Sequence, residues 1–155
     1  MASRRDLIRM TDDEVREFLD GRHVMNIATH APDGTIHLVA MWYGFTERGN
    51  PAFETYAKSQ KVLNLRRDPR ITVLVEDGEK YEELRGVELV GTAVVHDDQE
   101  VLMGVARSVV KRYFDWNTEE ELDLIAAGLA NKRVAVEIVP DKVVSWDHHK
   151  LGGTY

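Results

Sequence analysis

Apolar and polar residues along this chain fall into short blocks, and most blocks have the length and β-branched content of strands rather than of long helices. The first block is an exception. Thr11-Asp12-Asp13-Glu14 has the spacing of a capping box, Val15, Phe18 and Leu19 follow at helical intervals, and Gly21 stops the run, which predicts a helix. Val24 to Thr29 predicts a strand, Pro32-Asp33-Gly34 a turn, and Ile36 to Phe45 a second strand. Arg48-Gly49-Asn50-Pro51 turns the chain into a short strand, Ala52 to Tyr56. A short helix is expected from Ser59 to Arg67. Ser59 can cap it, Val62, Leu63 and Leu65 are apolar, and Asp68-Pro69 ends it because a residue before proline avoids helical backbone.

Ile71 to Val75 is an apolar, β-branched strand, Asp77-Gly78 a turn, and Val87 to Val95 a long strand in which Gly91 marks a bulge or a close approach by another group. Asp97-Asp98-Gln99-Glu100 and Thr118-Glu119-Glu120-Glu121 both look like helix starts. Arg133 to Val139 and Lys142 to Trp146 complete the strands, separated by Pro140-Asp141. Six to seven strands with helices inserted, rather than alternating, predict a mostly β fold: an antiparallel barrel with helical excursions, not a doubly wound parallel sheet. No repeat, linker or low-complexity segment divides residues 1–155, which read as one domain.

Composition narrows the chemistry. With 155 residues and 43% apolar content the chain can bury a core without staples. It has no cysteine, which excludes a disulfide framework, a thiolate metal site and a cysteine nucleophile, and suits a reducing, cytoplasmic compartment. The segment Met1 to Met10 has no apolar run behind its charges, so no signal peptide or transmembrane helix is expected. A formal charge of −7 argues against a nucleic-acid-binding surface. That charge is uneven, however: Lys58, Lys61, Arg66, Arg67 and Arg70 cluster with Asp68 as the one acid among them, and an acidic stretch follows from Glu76 to Glu83. A basic island in an acidic protein suggests one local anion site.

Thr55-Tyr56-Ala57-Lys58-Ser59-Gln60-Lys61 places a hydroxyl at a strand end, then two lysines and a serine at the first turn of a helix. Exposed N–H groups and the positive end of the helix dipole favour an anion there, and lysine adds a compact charge suited to phosphate. An ordinary solvated helix start would have the same spacing. Met41-Trp42-Tyr43 ends a long strand, and because neighbouring strand residues face opposite sides, Trp42 and Tyr43 cannot both be core. One of them faces a ligand, a partner subunit or solvent. Arg85 and Arg133 each open a strand, as surface charges often do. The six histidines show no i, i+4 helical pairing and no HExxH, so no metal site is expected. GxSxG, GxGxxG and GxxxxGK[ST] are absent too, which leaves difficult chemistry to a cofactor.

Taken together, the chain resembles the pyridoxamine-phosphate-oxidase-like split-barrel superfamily, and within it the actinobacterial F-420-dependent reductases of the B type. The resemblance rests on His23 to Tyr43 with its Ala31-Pro32-Asp33-Gly34 turn, Thr55 through Lys61, and Asn64-Leu65-Arg66-Arg67-Asp68-Pro69-Arg70. Arg85 to Gly91 and Val144-Ser145-Trp146-Asp147-His148 also carry it. It implies a split β-barrel that works as a homodimer with its site between subunits. It further implies hydride transfer from reduced deazaflavin coenzyme F-420 to a small unsaturated organic substrate. By that resemblance Lys61 binds the cofactor phosphate with Ser59, Gln60 and the strand-end Thr55 beside it, and Met41, Trp42 and Tyr43 contact the ring. Arg133 reaches the cofactor tail from the partner chain, and Lys58 and Arg85 add charge for a phosphate or polyglutamate tail. In the oxidase members a glutamine follows the arginine matched by Arg85. Here it is Gly86, which leaves room for a cofactor other than FMN. Tyr43 and His148 are the candidate proton donors. An FMN oxidoreductase on the same barrel and a non-catalytic cofactor carrier are the alternatives.

Overall fold

The computed structural model describes residues 1–153. Its strands are β1 (Met25–His30), β2 (Ile36–Met41), β3 (Gly44–Phe45), β4 (Pro51–Tyr56), β5 (Arg70–Asp77), β6 (Arg85–His96) and β7 (Arg133–Asp147). They form one antiparallel sheet in the order β2-β1-β5-β6-β7-β4-β3. The two edge strands are therefore successive in the chain, with only Trp42 and Tyr43 between them. Met41 and Gly44 can be no more than about 11 Å apart, so the sheet has to curl until its edges meet. The result is the split barrel the pattern predicts.

The helices are α1 (Arg4–Ile8), α2 (Asp12–Asp20), α3 (Gln60–Arg67), α4 (Gln99–Tyr113) and α5 (Glu119–Ala130). Thr11 caps α2 in the expected capping box, Asp98 caps α4 and Thr118 caps α5. Helix α1, five residues long, has no counterpart in the sequence reading. It is held by Ser3 and Asp6 in a capping box of its own.

Two boundaries move. The run Ile36 to Phe45 is not one strand: it breaks at Trp42-Tyr43, where the chain passes from one sheet edge to the other. Conversely, Arg133 to Trp146 is not two strands. Pro140 and Asp141 are absorbed into β7 as a bulge, Val90 pairing with Lys142 and Gly91 with Pro140. Gly91 is what permits this, since a Cβ there would lie 2.1 Å from the Val139 carbonyl oxygen.

The barrel interior is filled by alternate residues of the strands, including Met25, Ile27, Val73, Val75, Val87 and Ile138, and α2 plugs one end with Phe18 and Leu19. The α4–α5 hairpin covers the other face of β4 and β7 and makes a second core with Ala52, Leu102, Ala106, Val110, Leu122, Ala126 and Ala135. Consequently β4 is buried on both faces up to Thr55. Arg112 of α4 locks the assembly, donating to the carbonyls of Leu19, Asp20, Gly21 and Tyr43 with its guanidinium 4.6 Å from the Tyr43 ring centroid. No helix among the described residues is long and apolar enough to cross a membrane.

Candidate functional site

The connection from β4 to α3 is short and tightly determined. β4 pairs with β7 from Ala52 opposite Glu137 to Tyr56 opposite Arg133, and Ala57 donates its N–H to the Lys132 carbonyl at 3.0 Å. Ser59 then occupies the N-cap position of α3, so that Lys61 falls in the first helical turn and folds back over the strand end. Its Nζ donates to Thr55 Oγ1 at 2.9 Å. Lys61 is only 8% exposed, and among the described residues no carboxylate pairs with it. Burial, reinforced by the positive charge of Arg133, pulls its pKa below the ordinary lysine value. A buried ammonium with one hydroxyl for company is a costly arrangement, and one with donor capacity to spare.

Ser59 adds to this. Its hydroxyl is shut away from solvent yet has no hydrogen-bond partner, and it makes no capping bond to its own helix. An occluded, unsatisfied hydroxyl at a helix N-terminus, beside an uncompensated lysine, is an arrangement that an anion would complete.

On the helix-covered side of the sheet stand Glu54 and Arg133. Residues Ala52, Glu54 and Tyr56 share that face of β4, as Arg133, Ala135 and Glu137 share it on β7. Arg133 Nη1 donates to Glu54 Oε1 at 3.2 Å and its guanidinium lies 4.6 Å from the Tyr56 ring centroid. Glu54 is 6% exposed, and burial pushes its carboxyl up to about 7 against the pull of Arg133. Within the chain, the charge of Arg133 is near enough to Lys61 to disfavour the ammonium. Lys132, at φ 58°, turns the chain into β7 at the same corner.

The structure brings Thr55, Lys58, Ser59, Gln60, Lys61 and Arg133 together, and leaves the other expected site residues elsewhere. Gln60 Nε2 donates to Asn64 Oδ1, whose amide in turn donates to buried Thr29 Oγ1 at 3.1 Å, tying α3 to β1. Lys58 is exposed and has no carboxylate partner among the described residues, whereas Arg66 pairs with Asp97 and Arg70 with Asp68. Arg67 donates to the His30 carbonyl. Two arginines of the basic island, Arg66 and Arg70, are thus paired with acids, whereas Lys58 and Lys61 have no carboxylate partner among the described residues.

Met41 is half-buried against the barrel core. Trp42 is 48% exposed and stacks on Tyr113 at 4.9 Å, with Phe114 edge-on. Tyr43 is fully buried and donates to the Leu19 carbonyl at 2.6 Å, and burial raises its pKa, so its proton is committed to the fold. Arg85 forks onto Asp77 at 3.0 and 2.6 Å and pairs across the sheet with Asp147, at the far end of β7 from Arg133. The whole length of that 15-residue strand lies between them. His148 belongs to the same far end, its Nδ1 2.6 Å from the Tyr81 carbonyl oxygen. The room expected at Gly86 is taken: a Cβ there would lie 2.2 Å from the Trp146 indole. No group of histidines and acids among the described residues is arranged to hold a metal.

Sequence reasoning missed Glu54. The available signal was an acid inside an otherwise apolar strand. It becomes informative only once α4 and α5 are seen to bury that face.

Comparison with known proteins places residues 11–147 within the model of the pyridoxamine 5'-phosphate oxidase family. The conserved hypothetical protein Rv2991 from Mycobacterium tuberculosis is 42% identical, with a TM-score of 0.91 over 99% of this chain and 95% of that one. More distant structures share the fold alone. An F-420 reductase is 22% identical with a TM-score of 0.59, over 83% of this chain and 94% of its own. The heme storage protein HutZ from Vibrio cholerae is 13% identical with a TM-score of 0.66, over 88% and 96%.

Proposed function

This chain belongs to the pyridoxamine 5'-phosphate oxidase family, and on that premise we propose that it is an oxidoreductase using the deazaflavin coenzyme F-420. It passes a hydride to a small unsaturated organic acceptor in a site completed by a second copy of the chain. The observation that carries this reading is Lys61: a buried lysine without a carboxylate, next to the unsatisfied hydroxyl of Ser59. The residues present fit a phosphate-bearing group. Lys61, Ser59 and the first N–H groups of α3 would hold the phosphate, and Arg133 with the exposed Lys58 would take up an acidic tail.

When bound, the cofactor supplies the hydride, and the balancing proton comes from solvent. The chain's own contribution is to bind and orient. Thr55 orients the Lys61 ammonium, and the Gln60–Asn64–Thr29 chain fixes α3 against the barrel. Ile36 and Leu38 on the outward face of β2 are exposed in the single chain, which suits a surface covered by a partner subunit. In the single chain Tyr43 is bonded into the core and His148 lies at the opposite end of β7 from the Lys61 corner, so this reading assigns the proton to neither.

FMN on the same barrel is the second reading. Trp146 fills the space at Gly86, so that glycine no longer argues for a different cofactor. Titrating the protein with F-420 and with FMN, followed by absorbance, separates the two. The expected result is F-420 binding that weakens roughly 10- to 100-fold in Lys61→Ala, the size of one charge-assisted hydrogen bond, with an unchanged circular dichroism spectrum. Binding of F-420 without oxidation of its reduced form by any offered acceptor would indicate a carrier. Equal affinity in Lys61→Ala would refute the site.

A further inference from the structure

Arg133 has two claims on it. On the helix-covered side of the sheet, Glu54 and the Tyr56 ring hold it, while its charge also reaches Lys61 at the barrel side of the same strand end. The carboxylate it pairs with is buried on the sheet face that the α4–α5 hairpin covers with an apolar core. Arg133 is the ion-pair partner of Glu54 among the described residues, and its charge also bears on Lys61. Two cations and a single acid therefore occupy one desolvated corner, and the acid is the member that competes with an incoming anion.

We infer that Glu54 is a positioning residue: as a carboxylate it keeps the Arg133 guanidinium on the helix side, and on taking up a proton it releases Arg133 to a phosphate held by Lys61. This rests on the reading of Lys61 as the phosphate ligand. Binding is then coupled to proton uptake. A phosphate adds negative charge beside a buried carboxylate, and the cheaper outcome in a low-dielectric corner is for the carboxylate to be neutralised. The carboxyl of Glu54 is already poised for this, with its proton affinity near neutral pH. Arg133 keeps its charge throughout, and the Tyr56 ring gives the freed guanidinium a face to turn on. Nothing is oxidised or transferred in this step except one proton, from solvent to the Glu54 carboxylate.

The test is calorimetric titration of the full chain with F-420 at pH 7.5, in two buffers of different ionisation heat, for wild type, Glu54→Gln, Glu54→Asp and Lys61→Ala. Wild type should take up about three-quarters of a proton per ligand bound, since a group titrating near 7 is already about one-quarter protonated at pH 7.5, Glu54→Gln none, and Glu54→Asp should recover part of the uptake. Between pH 6 and pH 8 wild-type affinity should fall about tenfold relative to Glu54→Gln, as expected for a group titrating near 7. The ligand's own titration is common to both proteins and cancels in that ratio. Lys61-dependent binding with no proton uptake in wild type, or with the same uptake in Glu54→Gln, overturns the role of Glu54 and leaves the phosphate site standing. Absence of F-420 binding, or undiminished binding in Lys61→Ala, overturns the site reading and this inference with it. If Glu54→Gln does not fold, Glu54→Asp decides the matter: uptake identical to wild type overturns the role of Glu54, and a changed uptake supports it.

Discussion

Glu137 is the most exposed to test of the charges built into this barrel, because its burial is complete and every partner is known. It is 1% exposed, on the helix-covered face of β7, and its carboxylate accepts from Arg48 Nη2 at 2.7 Å, His96 Nε2 at 2.9 Å, and Thr46 Oγ1 and Asn50 Nδ2 at 3.0 Å. Burial alone would raise its pKa. The bonds from Asn50, His96, Arg48 and Thr46 together outweigh burial and bring it down to about 2 from an ordinary 4.5. A folded-state value below the unfolded one means that the unfolded chain binds more protons between pH 4.5 and 2. The stabilisation is therefore complete above pH 4.5 and is lost as pH falls toward 2. At about 1.4 kcal/mol per tenfold it amounts to about 3 kcal/mol at pH 7, of which about 2 kcal/mol is gone by pH 3. Glu137→Gln keeps the shape but removes the charge and turns one of the two acceptor oxygens into a donor facing two of the four donors. It should cost about 3–5 kcal/mol at pH 7, and that cost should shrink by about 2 kcal/mol at pH 3. Urea unfolding of both proteins at the two pH values measures this. A wild-type-to-variant difference that is the same at pH 7 and pH 3 would refute the reasoning.

The companion glutamate behaves oppositely. Glu54, raised from 4.5 to about 7 by burial, gives the folded state extra protons in that window, so its contribution is present below pH 4.5 and lost as pH rises through 7. Glu54→Gln should match wild type in urea at pH 4.5 and exceed it by about 2–3 kcal/mol at pH 8.5, and a less stable variant at pH 8.5 would show that the carboxylate–Arg133 pair is net stabilising. Lys61→Met replaces a buried ammonium with an apolar chain of similar length, and thermal melts should show a protein at least as stable as wild type that has lost its anion affinity; a large drop in Tm would make Lys61 a structural residue. Arg112→Ala strips the hydrogen bonds from the C-terminal carbonyls of α2 and from Tyr43, and should cost about 2–4 kcal/mol in urea unfolding without altering ligand affinity.

The elements easiest to foresee were those whose signals are local. The capping box of α2, the proline that ends α3 and the acidic starts of α4 and α5 are properties of a few adjacent residues, and each fell where the pattern put it. The strand count also came out near seven, but through two compensating differences. Ile36 to Phe45 is apolar apart from His37 and Gly44, with Val39 and Met41 packed on the core and Trp42-Tyr43 spanning the seam, so nothing in the spacing records that the chain changes sheet edge there. Pro140-Asp141 has the composition of a turn, yet Gly91 on the neighbouring strand gives it space to remain in β7 as a bulge. Site residues divide in the same way. Thr55, Lys58, Ser59, Gln60 and Lys61 lie within one strand–helix connection and were legible together. Arg85 and His148 belong to the opposite end of β7, and only the register of β6 on β7 reveals that. Glu54 could not be recognised without the helical hairpin that desolvates it.

The account stands or falls on where the anion docks. A crystal structure of the protein loaded with F-420 should place a phosphate oxygen within hydrogen-bonding distance, about 3 Å, of Lys61 Nζ and of Ser59 Oγ, with Arg133 turned away from Glu54. A phosphate bound elsewhere, with Lys61 still bonded only to Thr55 and Ser59 still unsatisfied, would contradict it.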